Sequence, residues 1–292
     1  MRMFLEFYSD NLKAIQADQE RRQGIKLSAK NCKKNLVRRM VYADLLKRFT
    51  EMSKQILGSK LVGVYLHGSA AMGCFNRKKS DLDLILIVEG DISDMGKVEF
   101  MRHVVNLNEE APEKGFELSV VRREYCNPFA YPTPYELHFS VGHLKWFLDD
   151  PIDYVKKMKG TDKDLAAHFM IIRKYGIVLY GEEIDSVFGT VPEDDYIDSI
   201  LFDIEGARGE ILENPMYFTL NLCRVLAYLR EGKVLSKRSG GEWGLDALPN
   251  RFHGMIQDAL HSYETDLTMA AAPETLSFFA NYMIEQIMHY KV

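Results

Sequence analysis

Two aspartates two residues apart, Asp81 and Asp83, open an apolar run that continues to Val88 in a chain of 292 residues. In a strand, alternate side chains share a face, so both carboxylates would emerge together while Leu82 and Leu84 bury on the other side. Two carboxylates held a few ångströms apart repel each other unless a cation lies between them. A ligand set made only of oxygen favours Mg²⁺, which keeps several waters and shares phosphate oxygens of a bound nucleotide. Eleven residues before Ser80, another apolar run, Val62 to Leu66, breaks off at His67-Gly68-Ser69. A Gly-Ser turn there offers free N–H groups to phosphate, especially where a helix begins. A third acid, Glu117, stands inside Phe116-Glu117-Leu118-Ser119-Val120-Val121. An acid in so apolar a strand is costly to bury without a partner, and a metal site or a substrate hydroxyl would supply one.

Elements to position these groups can be read on either side of them. Leu61–Leu66, Leu82–Val88 and Phe116–Val121 have the length and apolar content of strands. A short helix is expected over Ser69–Cys74. A longer one is expected over Met95–Glu109, where Val98, Met101, Val104, Val105 and Leu107 are its apolar positions. Upstream, Val37, Val41, Leu45, Phe49, Met52 and Ile56 form an apolar stripe that predicts a helix ending at Gly58. Prolines 128, 132 and 134 predict an extended, turn-rich connector, and Asp164 begins a further helix. Val191-Pro192-Glu193-Asp194-Asp195 reads as a linker and helix start, after which periodic apolar residues predict four or five helices.

The order strand, Gly68-Ser69, roughly a dozen residues, Asp81-x-Asp83 resembles the nucleotidyltransferase superfamily typified by DNA polymerase beta. Within it, His67-Gly68-Ser69-Ala70-Ala71-Met72-Gly73 with Ser80-Asp81-Leu82-Asp83-Leu84 is similar to the aminoglycoside adenylyltransferases that modify streptomycin and spectinomycin. Tyr131-Pro132 and Glu136-Leu137-x-Phe139 continue that likeness. The resemblance implies that Gly68, Ser69 and Ser80 face the nucleotide, and that Asp81 and Asp83 hold metal. It implies that Glu117 acts either as general base or as third metal ligand. In the family a Thr-Leu-x-Arg helix and a Gly-Lys-…-Lys turn bring an arginine and a lysine to the ATP phosphates. Arg224 and Lys237 match those positions, and Tyr263 matches a tyrosine further on. Asp164 fits an acid near the family's active site; equally, it reads as a helix-start acid favoured by the dipole. The likeness covers roughly residues 61–263 and departs from the family at two acceptor contacts. Gly142 stands where the streptomycin-modifying enzymes have a tryptophan, and Asn214 where they have an acid.

Composition sets the frame. Apolar residues make up 47% and charged residues 27%, as in an ordinary globular protein, and the length suits two domains. The net charge of −5 argues against a nucleic-acid partner, and no apolar run reaches membrane-span length. Glu6 and Asp10 within the first twelve residues read against a secretory leader. Cys32, Cys74, Cys126 and Cys223 lack metal spacing and read as reduced thiols of a cytoplasmic protein. Ten basic residues against Asp44 alone lie between Arg21 and Arg48, a solvated helix face or a flank for the triphosphate or a partner.

The expectation is therefore an α/β (α+β) protein. It comprises an N-terminal helical extension over 1–59, a nucleotidyltransferase domain with a small mixed sheet over 60–192 and an all-α domain over 193–292. The active site is expected in the cleft between the last two. With two Mg²⁺ ions and ATP as co-substrate, a monomer would move AMP to a hydroxyl of an aminoglycoside-like, cationic small molecule, conferring antibiotic resistance, and release pyrophosphate. The alternatives are nucleotidyl transfer to a protein or RNA, for which the basic segment is the support, and a nucleotide-binding regulator without turnover. A pure binder does not require the third carboxylate.

Overall fold

The computed structural model describes residues 41–290, and the protein is of the mixed α/β type. It divides into two compact units. One takes the chain up to Pro128, with Pro134–Gly160 and Ile172–Gly189; the other takes Phe129–Thr133, Thr161–Ile171 and everything from Thr190 on. This grouping differs from the linear division at 59 and 192, because two short stretches of the middle segment pack with the helical unit.

The first unit is built on strands β1 (Leu61–Leu66), β2 (Leu82–Val88), β3 (Phe116–Arg122), β5 (Leu137–Phe139) and β7 (Ile177–Gly181), in the order β5-β3-β2-β1-β7. The three-residue strands β4 (Thr133–Tyr135) and β6 (Gly160–Asp162) form a separate ladder. Only β2 and β3 are parallel in the large sheet, which is therefore mixed. A parallel pair needs a long crossover. The expected helix supplies it, over Asp94–Asn108, with Ser93 Oγ accepting the Gly96 N–H at 3.2 Å as N-cap.

Around that crossover, here α3, stand α1 (Ala43–Leu57), α2 (Gly68–Met72), α4 (Leu144–Asp149) and α5 (Pro151–Lys157). Helix α6 (Leu165–Tyr175) and the single turn α7 (Ile184–Val187) follow. Leu82, Leu84, Leu86 and Val88 of β2, with Phe116, Leu118 and Val120 of β3, enter one core with residues of α1, α3 and α5. On the opposite face of the same strands Asp83 and Glu117 are half-buried, while Ile85, Ile87 and Val121 further along are fully buried. Alternation along the two strands thus puts both acids together on the face away from that core.

Helix α1 ends at Gly58 as expected. Of the expected stripe, Leu45 and Phe49 are buried and Met52 and Ile56 pack, partly buried, against the same core, while Val41, ahead of the helix, is exposed. Leu46, Thr50, Ser53 and Leu57 are buried as well. Thr50 and Ser53 can do so because their hydroxyls donate to the carbonyls of Leu46 and Phe49, at 2.7 and 2.8 Å. Apolar periodicity passes over such residues. The helix packs within the first unit, and of the ten basic residues from Arg21 to Arg48 all but Lys47 and Arg48 lie outside the described residues, as do Val37 and Cys32. Arg48 meets Glu110 in an exposed pair at 2.6 Å.

A buried ion cluster locks the connector to the crossover helix. Lys97 and Glu136, each 3% exposed, meet at 2.8 Å, and Arg122 reaches the other carboxylate oxygen at 2.6 Å. Burial alone would raise the Glu136 carboxyl, but its bonds to Lys97 and Arg122 outweigh that and hold it below its ordinary 4.5. A folded-state value below the unfolded one means stabilisation present above about pH 4.5 and lost as the pH falls beneath it. Glu136→Ala would strand the Lys97 ammonium, and we expect a loss of about 3–5 kcal/mol in urea unfolding at pH 7. That loss should shrink towards pH 3.

The second unit is helical: α8 (Glu193–Phe202), the single turn α9 (Ala207–Glu210), α10 (Pro215–Glu231), α11 (Lys237–Ala247), α12 (His253–Glu264) and α13 (Pro273–His289). Helix α10 is its centre, with Phe218, Leu220, Leu222, Cys223, Val225 and Leu226 buried. The three described cysteines, Cys74, Cys126 and Cys223, are buried, and none of them is in a disulfide. Among the described residues, no helix is long and apolar enough to cross a membrane.

Candidate active site

The register of β2 and β3 pairs Asp83 with Glu117, so their side chains stand beside each other on one face. Asp81 lies just ahead of β2, which begins at Leu82. One carboxylate oxygen from each of Asp81, Asp83 and Glu117 comes within 4.8 Å of the other two, and all three residues are half-buried. Three carboxylates this close repel one another in the absence of a cation. Their donor set is all oxygen, the set that suits Mg²⁺.

The Gly-Ser turn abuts this cluster. The His67 N–H donates to the Asp83 carbonyl at 3.0 Å, tying the end of β1 to β2. Gly68 follows with φ +57°, and a Cβ there would lie 1.9 Å from Asp83 Oδ2. Only glycine meets both demands. Gly68→Ala should push the Asp83 carboxylate away and cut turnover by about 100-fold or more, as small misplacements of reacting groups do. Circular dichroism should show the fold retained.

Ser69 Oγ is buried without a hydrogen-bond partner, a donor left over for an incoming acceptor. Ser80 is placed differently. Its Oγ accepts the Asn76 N–H at 3.1 Å and its own N–H donates to the Asn76 carbonyl at 2.8 Å, which closes the loop that delivers Asp81.

The helical unit holds the two matched cations close to a common set of partners. Arg224 donates to Asp203 Oδ2 at 3.0 Å, and Tyr217 donates to the other Asp203 oxygen. Lys237 Nζ lies 4.6 Å from the centre of the Tyr217 ring. Lys237 is the first residue of α11, whose N-cap Ser236 accepts the Ser239 N–H at 3.1 Å. Helix α11 lies tightly on α10 because a Cβ at Gly240 would come within 2.8 Å of Arg224 Cβ, and one at Gly244 within 2.8 Å of Cys223 Sγ. Asp164 meets His168 at 3.1 Å. Burial alone would raise the Asp164 carboxyl, but His168, Arg224 and Lys237 draw it down to about 2. Tyr263 is 5% exposed on α12. Gly142 and Asn214, the two departures, are both exposed, one in a 3₁₀ turn and one ahead of α10.

Sequence reasoning singled out none of His67, Asp203, Tyr217 and His168 as partners. Tyr217 had a signal: it precedes Arg224 by seven residues, two turns along one face of α10. Asp203 had none, since a side chain from before α9 carries no mark of where it will fold.

Residues 186–286 match the family model of the aminoglycoside adenylyltransferase C-terminal domain. A spectinomycin 9-adenylyltransferase of Staphylococcus aureus is 26% identical over 218 residues, 72% of this chain and 80% of that one. An aminoglycoside (3'') (9) adenylyltransferase of Escherichia coli is 22% identical over 262 residues, 86% and 98% of the two chains. The chain is aminoglycoside adenylyltransferase-like. Its fold is also similar to the crystal structure of a spectinomycin adenyltransferase from Enterococcus faecialis with ATP and spectinomycin. The TM-score is 0.72 at 18% identity, over 84% of this chain and 98% of that one.

Proposed function

We propose that this protein is an adenylyltransferase that moves AMP from ATP to a hydroxyl of an aminoglycoside-like molecule and releases pyrophosphate. The observation that carries this reading is the convergence of Asp81, Asp83 and Glu117 within 4.8 Å, next to the unpartnered Ser69 hydroxyl. The all-oxygen cluster fits Mg²⁺, and Asp81 and Asp83 would hold it, one or two ions at a time. Bound Mg²⁺ would balance the charge of the phosphates and of the reacting α-phosphoryl group.

The protein's own groups do the rest. Ser69 donates its hydroxyl hydrogen to a phosphate oxygen. Glu117 takes the proton from the acceptor hydroxyl at a carboxylate oxygen as that hydroxyl attacks the α-phosphorus. The new P–O bond forms as the bond to the β-phosphate oxygen breaks in line, and Arg224 and Lys237 balance the charge growing on the leaving pyrophosphate.

The relatives named for spectinomycin and for aminoglycosides support this acceptor class. Gly142 and Asn214 offer neither the ring nor the negative charge that the streptomycin-modifying enzymes carry at those positions, so spectinomycin should be the better acceptor of the two. The test is pyrophosphate release from ATP and Mg²⁺ across a panel containing both. Turnover of at least one member, spectinomycin ahead of streptomycin, is expected. If no member is turned over while ATP still binds, the acceptor assignment is overturned.

A further inference from the structure

We propose that Asp203 and Tyr217 are positioning residues that together aim the two cations, Arg224 and Lys237, at the triphosphate. The proposal rests on the reading of those cations as phosphate ligands and adds how they are held.

Unrestrained arginine and lysine side chains lose rotamer entropy when a ligand fixes them. A site that orders them beforehand avoids that cost. Beside the Asp164 carboxylate, which both cations also feel, the contacts that hold them are one carboxylate and one ring. Asp203, at the end of α8, splits its two oxygens between the Arg224 guanidinium, at 3.0 Å, and the Tyr217 hydroxyl. The carboxylate is 18% exposed and Arg224 24%, so water competes little for either. Burial first, and then the neighbouring Asp203 charge, raise the Tyr217 hydroxyl above its ordinary 10, so it remains a donor at neutral pH. The Tyr217 ring, held at its far end by that bond, presents its face to Lys237 Nζ at 4.6 Å. Asp203 thus sets Arg224 directly and Lys237 through Tyr217. One rigid chain of contacts serves two helices, α10 and α11.

This arrangement makes a prediction that a general packing role does not. The cations serve the β- and γ-phosphates, so their misplacement should weaken MgATP and leave AMP alone. The test is calorimetric binding of MgATP and of AMP to the full chain, with melting temperatures measured alongside. Tyr217→Leu, which removes ring and hydroxyl, should weaken MgATP about 10-fold or more and AMP less than about 2-fold. Tyr217→Phe keeps the ring under Lys237 and should lose less than Tyr217→Leu. Asp203→Leu should behave like Tyr217→Leu. Asp203→Asn can still accept from Arg224 through its carbonyl oxygen and bond Tyr217 through its amide, so it should restore most of the MgATP affinity. An unchanged ratio of MgATP to AMP affinity in Tyr217→Leu, or equal loss of both ligands in it, would overturn the proposal. Arg224→Ala separates the two readings: if it too leaves that ratio unchanged, the assignment of Arg224 to the phosphates fails first.

Discussion

Asp83→Ala is expected to abolish turnover and leave the protein at least as stable as before. The carboxylate contributes to activity only through what it holds against the phosphates, and losing such charge stabilisation in the transition state costs several kcal/mol. A drop of at least about 1,000-fold in pyrophosphate release corresponds to ~4 kcal/mol. Stability should move the other way. In the absence of metal, Asp83 lies in a cluster whose three oxygens are within 4.8 Å of one another, and removing one charge relieves repulsion of about 1 kcal/mol. For a chain of this size that is a rise of roughly 2–4 °C in melting temperature. The backbone bond from His67 to the Asp83 carbonyl survives the substitution. Added Mg²⁺ should raise the melting temperature of the wild type and do little for the variant. Turnover that persists in Asp83→Ala would remove this residue from the reaction.

The second large effect is at Glu117. The amide of Glu117→Gln keeps the shape but cannot take a proton, so a general base lost there should lower the rate by about 100- to 10,000-fold. MgATP affinity should change little, because Asp81 and Asp83 remain. A Gln variant that loses Mg²⁺-dependent ATP binding instead would make Glu117 a metal ligand in place of a base. Asp83 and Glu117 share a register on neighbouring strands, so one binding measurement on each variant separates the two roles.

The catalytic elements were legible because their signals are local. β1 and β2 have the bounds expected from their apolar runs, and β3 runs one residue further, to Arg122. Gly58 ends α1, and the crossover helix is displaced by a single residue. Among the described residues, five helices of ten residues or more follow Pro192, with two short turns, Ala207–Glu210 and Asn250–Phe252, between them, because the periodicity of a helix is written in consecutive residues. What the apolar stripe on α1 left out has a physical cause: Thr50 and Ser53 bury hydroxyls satisfied by their own helix. The linear division of the chain could not anticipate that residues 129–133 and 161–171 pack with the helical unit.

The carboxylates at 81, 83 and 117 can be read from the order of residues because strand alternation decides their face and an acid in an apolar strand demands a reason. Their meeting could not be read so. It depends on β2 and β3 lying parallel and in register, a pairing made across more than thirty residues of intervening chain. The same holds for the cations. Arg224 and Lys237 are marked by their spacing, but Asp203 and Tyr217 become their partners only when helices fold against each other. Side-chain type and period are local properties and survive in a string of letters. Which charge finds which counter-charge is settled by tertiary packing, where Asp203 Oδ2 comes to lie 3.0 Å from Arg224.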